Sequence, residues 1–301
     1  ILERNKINAL NYKGNQNTEF VSFEWNIKIK INELGFRDTN EIYESNKNKI
    51  LILGDSFIEG YGVSLENTIP KKLEKILKKN KHDYRVLNGG IIGNDLFDYI
   101  NIYNEYFLKD NSIKYVITSL YIENDLLFEV HDRIDVFSEN KTTFVSKIKV
   151  FLARYSAFYN LLVKSIKISK FNNFFVKFHS NEEFILANNY KVNFNSDDKK
   201  YKFSSKLLKD FDNQLKKNNK KHIIMLMPTK EQIVNKSWLN MLKRYNLDET
   251  LFDKTLPFEK IIKQLELEDL EYLNLLKYLN IKKNYSDKSF YFEIDRHTNQ
   301  Y

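Results

Sequence analysis

The chain has 301 residues, 48 Lys/Arg against 40 Asp/Glu for a formal net charge of +8, no cysteine, 8 Gly and 3 Pro. That length can bury a sizeable core, as one large domain or one with an insertion. The lack of cysteine excludes disulfides and thiolate metal sites but locates nothing, and abundant aromatics with scarce Gly and Pro exclude a disordered chain. The chain starts at Ile1 rather than Met, so a longer product is expected; no signal peptide and no apolar run of bilayer-spanning length is visible in this stretch, which does not locate the protein.

From the N-terminus, Val21, Phe23, Trp25, Ile27, Ile29 and Ile31 alternate with polar residues, which predicts one half-buried antiparallel strand over 21–31. Ile50–Leu53 is wholly apolar, as a strand buried on both faces requires, and it stops at Gly54-Asp55-Ser56. A helix is expected over Ile69–Lys79, with Leu73, Ile76 and Leu77 inward. Arg85–Leu87 reads as a strand ending in Asn88-Gly-Gly-Ile-Ile-Gly-Asn94, followed by a helix with Leu96, Tyr99, Ile100 and Tyr103 on one side. Tyr115–Leu120 and His222–Met227 are further strands, the first ending at Tyr121-Ile-Glu-Asn-Asp125 and the second closed by Pro228. Helical patterns run through 230–245 and 257–279, and Phe290–Ile294 reads as a last strand leading into Asp295-Arg-His-Thr-Asn299. Strands alternating with helices predict an α/β/α sandwich, three layers around a mostly parallel sheet.

The charge is uneven. Residues 131–220 hold 18 Lys/Arg against 9 Asp/Glu, while the remainder is close to neutral, so this segment is read as a basic helical insertion, a cap, within a single α/β domain spanning 1–301. Its stretch 141–179 has eight basic and no acidic residues, with Ile148, Phe151, Leu152, Tyr155, Tyr159, Leu162, Val163 and Ile166 at helical spacing. Such a helix can pack its apolar stripe on the sheet domain or lie on an anionic membrane surface; the cap is favoured, because any packed helix needs such a stripe. No nucleic-acid motif accompanies the charge, so no nucleic-acid partner is expected.

A serine where a buried strand turns sharply has its hydroxyl held over the sheet edge, as a nucleophile requires, although Gly-Asp-Ser is also an ordinary turn. The remaining strand ends supply the rest of an acyl-transfer site. His297 can take the Ser56 proton, and Asp295 can orient and stabilise the imidazolium, with Glu293 a second candidate on the same face of the strand. The backbone N–H groups of Ser56 and Gly93 and the side-chain amide of Asn124 are candidate oxyanion donors. Asp55 and Asp125 read as acceptors that fix loops, and Tyr121 as a core residue or a platform for a sugar ring. His82, His131, His179 and His222 are scattered without metal-ligand spacing, so no metal and no organic cofactor is expected.

These residues resemble the SGNH (GDSL) family of esterases and acyltransferases. Ile52-Leu-Gly-Asp-Ser-Phe57 matches its first block and Asn88-Gly-Gly-Ile-Ile-Gly93 its second, Glu123-Asn-Asp125 stands for its third, and Asp295-Arg-His297 for its last. Gly35-Phe-Arg-Asp38, Gly60-Tyr-Gly-Val63 and Asp295-x-His-x-Asn299 are similar to a bacterial subgroup whose members often sit near surface-polysaccharide genes. The likeness covers 32–130 and 222–301 and departs from the pattern in two places: Glu123 stands where a glycine is usual, and the last block spaces its Asp and His two apart rather than three. Family members also continue past the position of Tyr301 into a final helix.

The resemblance implies a flavodoxin-like fold and a serine esterase acting on O-acyl, above all O-acetyl, esters of a small molecule or a carbohydrate, placed outside the cytoplasm. The alternatives are an O-acetyltransferase that decorates a surface glycan with the same residues, and a non-catalytic glycan- or membrane-binding relative. Oligomeric state is open.

Overall fold

A computed structural model of the chain describes residues 2–4, 10–22, 24–40, 47–126, 188–192, 198–283, 290–292 and 297–299. Two antiparallel hairpins come first: β1 (Leu2–Arg4) with β2 (Leu10–Tyr12), and β3 (Gln16–Val21) with β4 (Asn26–Ile31). The stretch expected as one strand over 21–31 is therefore a turn and a returning strand. The Ser22 N–H donates to the Trp25 carbonyl at 2.8 Å, and Val21 pairs with Asn26 across the tip. The alternation holds within β4, where Ile29 and Ile31 are buried while Asn26, Lys28 and Lys30 are exposed.

The central sheet begins with β5 (Lys49–Gly54), every residue of which is buried. A one-turn helix α1 (Ser56–Glu59) follows, then α2 (Ile69–Lys79), β6 (Arg85–Gly90), α3 (Leu96–Ile102), which runs on as a π-helical turn to Phe107, and β7 (Ile113–Tyr121). Beyond these lie α4 (Asp198–Lys217), β8 (Lys221–Met227), α5 (Lys230–Ile233), α6 (Asn235–Tyr245), α7 (Leu256–Leu267), β9 (Tyr272–Asn274) and α8 (Leu275–Lys283). The sheet order is β6-β5-β7-β8-β9, and all its pairings are parallel. Leu51, Leu53, Val86, Val116, Leu120, Ile224 and Leu226 form a dry core with Tyr99 and Ile102 of α3 and Leu208 and Leu215 of α4.

The chain leaves β5 for β6 on one side and returns to place β7 on the other. The order therefore reverses between β5 and β7, and the crevice beyond the carboxyl ends of those strands is where ligands of open α/β sheets bind. Gly54, Asn88–Gly90 and Tyr121 all end at that edge.

The expected strands at β5–β8 and the helix over 69–79 are found, although Ile76, expected inward, is exposed, and three other elements differ. The pattern over 257–279 is broken by β9: α7 stops at Leu267, Asp269 takes a left-handed conformation at φ 49°, and Tyr272–Asn274 pairs with Ile224–Leu226. The pattern over 230–245 is two helices parted at Val234, whose extended backbone caps the second. Phe290–Phe292 does not join the sheet; Tyr291 instead bridges Thr298 antiparallel. Of the basic segment 131–220, the described part includes α4, which packs on β8 and α7 as a sheet-covering helix. Residues 131–187, with the amphipathic stretch 141–179, lie outside the described residues, as do Glu293 and Asp295. Among the described residues no helix is long and apolar enough to cross a membrane.

Candidate active site

The site starts with the end of β5. Asp55 caps α1, its Oδ1 accepting the Phe57 N–H at 3.0 Å. The Ser56 carbonyl accepts from Gly60 and Tyr61 and closes the turn. Ser56 is thus in the first turn of a helix, where its own N–H has no intrahelical acceptor. The end of β6 presses against this turn so closely that a Cβ on Gly90 would overlap the backbone nitrogen of Glu59.

His297 reaches Ser56 from the far end of the chain, with Nε2 2.7 Å from the Ser56 Oγ. Its ring lies between Phe57 and Tyr61, with centroids 5.1 and 4.8 Å away. The hairpin carrying it is closed by Phe292 N–H to the His297 carbonyl and Asn299 N–H to the Phe290 carbonyl, with the Asn299 side chain on the Tyr291 carbonyl. Beyond β8 the Tyr291 hydroxyl donates to the Pro228 carbonyl at 2.7 Å, and Lys230 Nζ to the Phe292 carbonyl at 2.6 Å.

Two more strand ends complete the crevice. After β6, Gly93 takes a left-handed φ of 80°, and Asp95 caps α3 through the N–H groups of Phe97 and Asp98. After β7, Asn124 is exposed, with its backbone N–H on the Tyr121 carbonyl. Among the described residues the N–H groups of Ser56 and Gly93 and the Asn124 amide have no protein acceptor.

Asp125 fixes this last loop from within: its Oδ2 accepts the Tyr121 N–H at 2.7 Å and the Tyr99 hydroxyl at 2.9 Å. Asp55 and Asp125 are both loop-fixing acceptors, and burial pushes both carboxyls up, with repulsion from Asp55 adding to the effect on Asp125. Tyr121 is a packing residue, its ring 4.6 Å from Phe57. Glu123, which stands where the resembled family usually has a glycine, accepts from the hydroxyls of Tyr121 and Tyr190, both at 2.9 Å, and Tyr190 also contacts Thr229 Oγ1 at 3.0 Å. The carboxylate thus ties the Asn124 loop to the segment returning to the sheet. Glu123→Ala is expected to cost about 1–3 kcal/mol in urea unfolding, because the hydroxyls of Tyr121 and Tyr190 both lose a charged acceptor.

Residues to which the motifs assign no role support the turn that bears Ser56. Arg37 is buried, and its guanidinium donates to the carbonyls of Glu59, Gly60 and Val63 just past α1. Asp38 accepts the Asn88 N–H at 3.0 Å and pairs with Lys71 at 2.6 Å, so the Gly35–Asp38 motif braces both α1 and β6. Glu59 is likewise buried. Nothing local distinguishes such charges from surface ones; Arg37 and Asp38 had a signal in the Gly35–Asp38 motif, and Glu59, between the Ile52–Phe57 and Gly60–Val63 stretches, had none.

Of the other histidines, His82 is exposed and His222 is buried with Nε2 2.9 Å from Thr118 Oγ1, while His131 and His179 lie outside the described residues. Among the described residues no group of acidic and histidine side chains could hold a metal ion.

No family model and no curated protein sequence matches the chain. Among solved structures it is similar to the acetyl xylan esterase AlAXEase, at 14% identity over 84% of this chain and 92% of that one, with a TM-score of 0.44. It is also similar to LAE5, an alpha/beta hydrolase enzyme from the metagenome of Lake Arreo, at 12% identity over 86% and 91% of the two chains and a TM-score of 0.45. A third is AlinE4, an SGNH-hydrolase family esterase, at 14% identity over 81% and 85%, with a TM-score of 0.40. Identities this low do not carry an activity from one protein to another.

Proposed function

We propose that the chain is an SGNH-type serine acyl-transfer enzyme, in the first instance an esterase. The observation that carries this is the 2.7 Å contact between Ser56 Oγ and His297 Nε2 at the crevice where the strand order reverses. Ser56 Oγ attacks the ester carbonyl while His297 Nε2 takes its proton. The negative charge on the carbonyl oxygen is met by the N–H groups of Ser56 and Gly93 and by the Asn124 amide. Collapse expels the alcohol, which receives the proton from His297, and leaves an acyl-serine. Water, deprotonated by His297, then attacks the acyl-serine and releases the acid and Ser56. Asp295 is assigned to hold the imidazole in the working tautomer. The motif resemblance extends the proposal to an O-acetyl group on a carbohydrate as substrate.

Hydrolysis of a short-chain aryl acetate and covalent labelling by a fluorophosphonate test the reading. Both are expected in the wild type and neither in Ser56→Ala. An inert wild type, or full activity without Ser56, would sink it. Acetyl appearing on a glycan such as xylan added to the reaction would make the enzyme a transferase.

A further inference from the structure

We propose that Glu59 is a positioning residue that sets the loop bearing Gly93 against Ser56, an inference that rests on the acyl-transfer reading above. Glu59 is the last residue of α1 and is wholly buried. Both its oxygens are engaged. Oε1 accepts the Tyr12 hydroxyl at 2.8 Å, and Oε2 accepts the Ile92 N–H at 2.6 Å. Ile92 immediately precedes Gly93, and its carbonyl shares a peptide plane with the Gly93 N–H. One side chain therefore spans from the nucleophile turn to the unit that presents a candidate oxyanion donor.

The loop is anchored on both sides of that donor. Ile91 N–H is held by the Gly54 carbonyl at 3.0 Å, and the Asp95 cap fixes the chain just beyond Gly93. Ile91 and Asp95 set where the loop begins and ends; Glu59 sets the rotation of the peptides between them. That rotation decides where the Gly93 N–H points, and a donor misaimed at a developing oxyanion loses most of its value.

The groups facing the carboxyl are the Tyr12 phenol, the Arg37 guanidinium and, one turn earlier, Asp55. Burial is the largest influence and pushes the Glu59 carboxyl up to about 7, against the hydrogen bonds from Tyr12 and Ile92 and the nearby Arg37 charge. When protonated, the group has one carbonyl acceptor and one hydroxyl donor, the same layout as a glutamine amide. The acceptor for Ile92 therefore survives protonation. Removal of the carboxyl releases the loop, whereas loss of the Tyr12 bond alone keeps the Ile92 bond and lets the carboxyl that makes it swing.

The test compares Glu59→Met with Glu59→Gln and Ser56→Ala on an aryl acetate, alongside amide hydrogen exchange at Ile92. Glu59→Met is expected to lower kcat by about 10- to 100-fold with KM within about twofold. It should also speed Ile92 exchange while β5 and β7 amides stay protected. Glu59→Gln should restore kcat to within about threefold of wild type. Should Glu59→Met not fold, Tyr12→Phe, which frees one side of the carboxyl, is expected to give a several-fold fall in kcat with KM steady. If Glu59→Met, or Tyr12→Phe in its place, lowers only thermal stability and leaves kcat and Ile92 exchange unchanged, the positioning role is overturned. The esterase reading would then still stand, because it fails only if turnover persists in Ser56→Ala or is absent in the wild type.

Discussion

Ser56→Ala and His297→Ala are each expected to lower kcat on an aryl acetate by about 10⁴-fold or more, and the double variant by no more than either alone. The reason is the 2.7 Å contact between Ser56 Oγ and His297 Nε2. An unaided serine hydroxyl is a weak nucleophile, and an imidazole with no hydroxyl to deprotonate contributes only water chemistry, so each group is idle without the other. KM should move little, since neither side chain is assigned to hold the substrate in its ground state. Losses that multiplied in the double variant would show two independent contributions and remove the pair as a unit. The same assay decides between the two acidic candidates of the sequence: Asp295→Asn should fall steeply and Glu293→Gln should not.

The largest effect on stability is expected at Arg37. Arg37→Met should cost about 3–5 kcal/mol in urea unfolding, because it takes a donor from the carbonyls of Glu59, Gly60 and Val63, the last of which has no other among the described residues, and removes the cation nearest Glu59. Arg37→Lys should recover little of this, since one ammonium cannot serve the three carbonyls that the planar fork reaches. The loss should also depend on pH in a definite direction. Glu59 has a raised folded-state pKa, so its contribution is full below the ordinary carboxylate range and is lost as pH rises through about 7. Arg37 holds that value down, so its removal widens the window in which stability is lost. The gap between wild type and Arg37→Met should therefore be larger at pH 8 than at pH 5. A gap that shrank with rising pH would show that Arg37 does not act on Glu59.

Most of the candidate site's edge is legible in the chain because its signals are local. The apolar run Ile50–Leu53 and the turn Gly54-Asp55-Ser56 adjoin each other, and each needs only its neighbours to be recognised. Elements defined by distant partners are not legible in this way. β9 has three residues, too few to show a period of two, and it exists because Ile224–Leu226 offers an open edge. The turn at 22–25 is hidden because the chain resumes the same alternation on the returning strand. Phe290–Phe292 has the composition of a strand, but Tyr291 and Phe292 are held by Pro228 and Lys230, which lie more than sixty positions away in the chain. Arg37, Glu59 and Glu123 look like surface charges until the carbonyls and phenols around them are seen.

Ser56 and His297 stand 241 positions apart in the chain, yet Oγ and Nε2 meet at 2.7 Å. Ser56 follows β5, every residue of which is buried, and His297 lies beside the Tyr291–Thr298 bridge against Phe57 and Tyr61. Under the proposed reading the reacting pair exists only once these two distant stretches have closed on each other. Turnover of an aryl acetate would therefore report long-range folding of the chain, which a probe of β5 alone would miss.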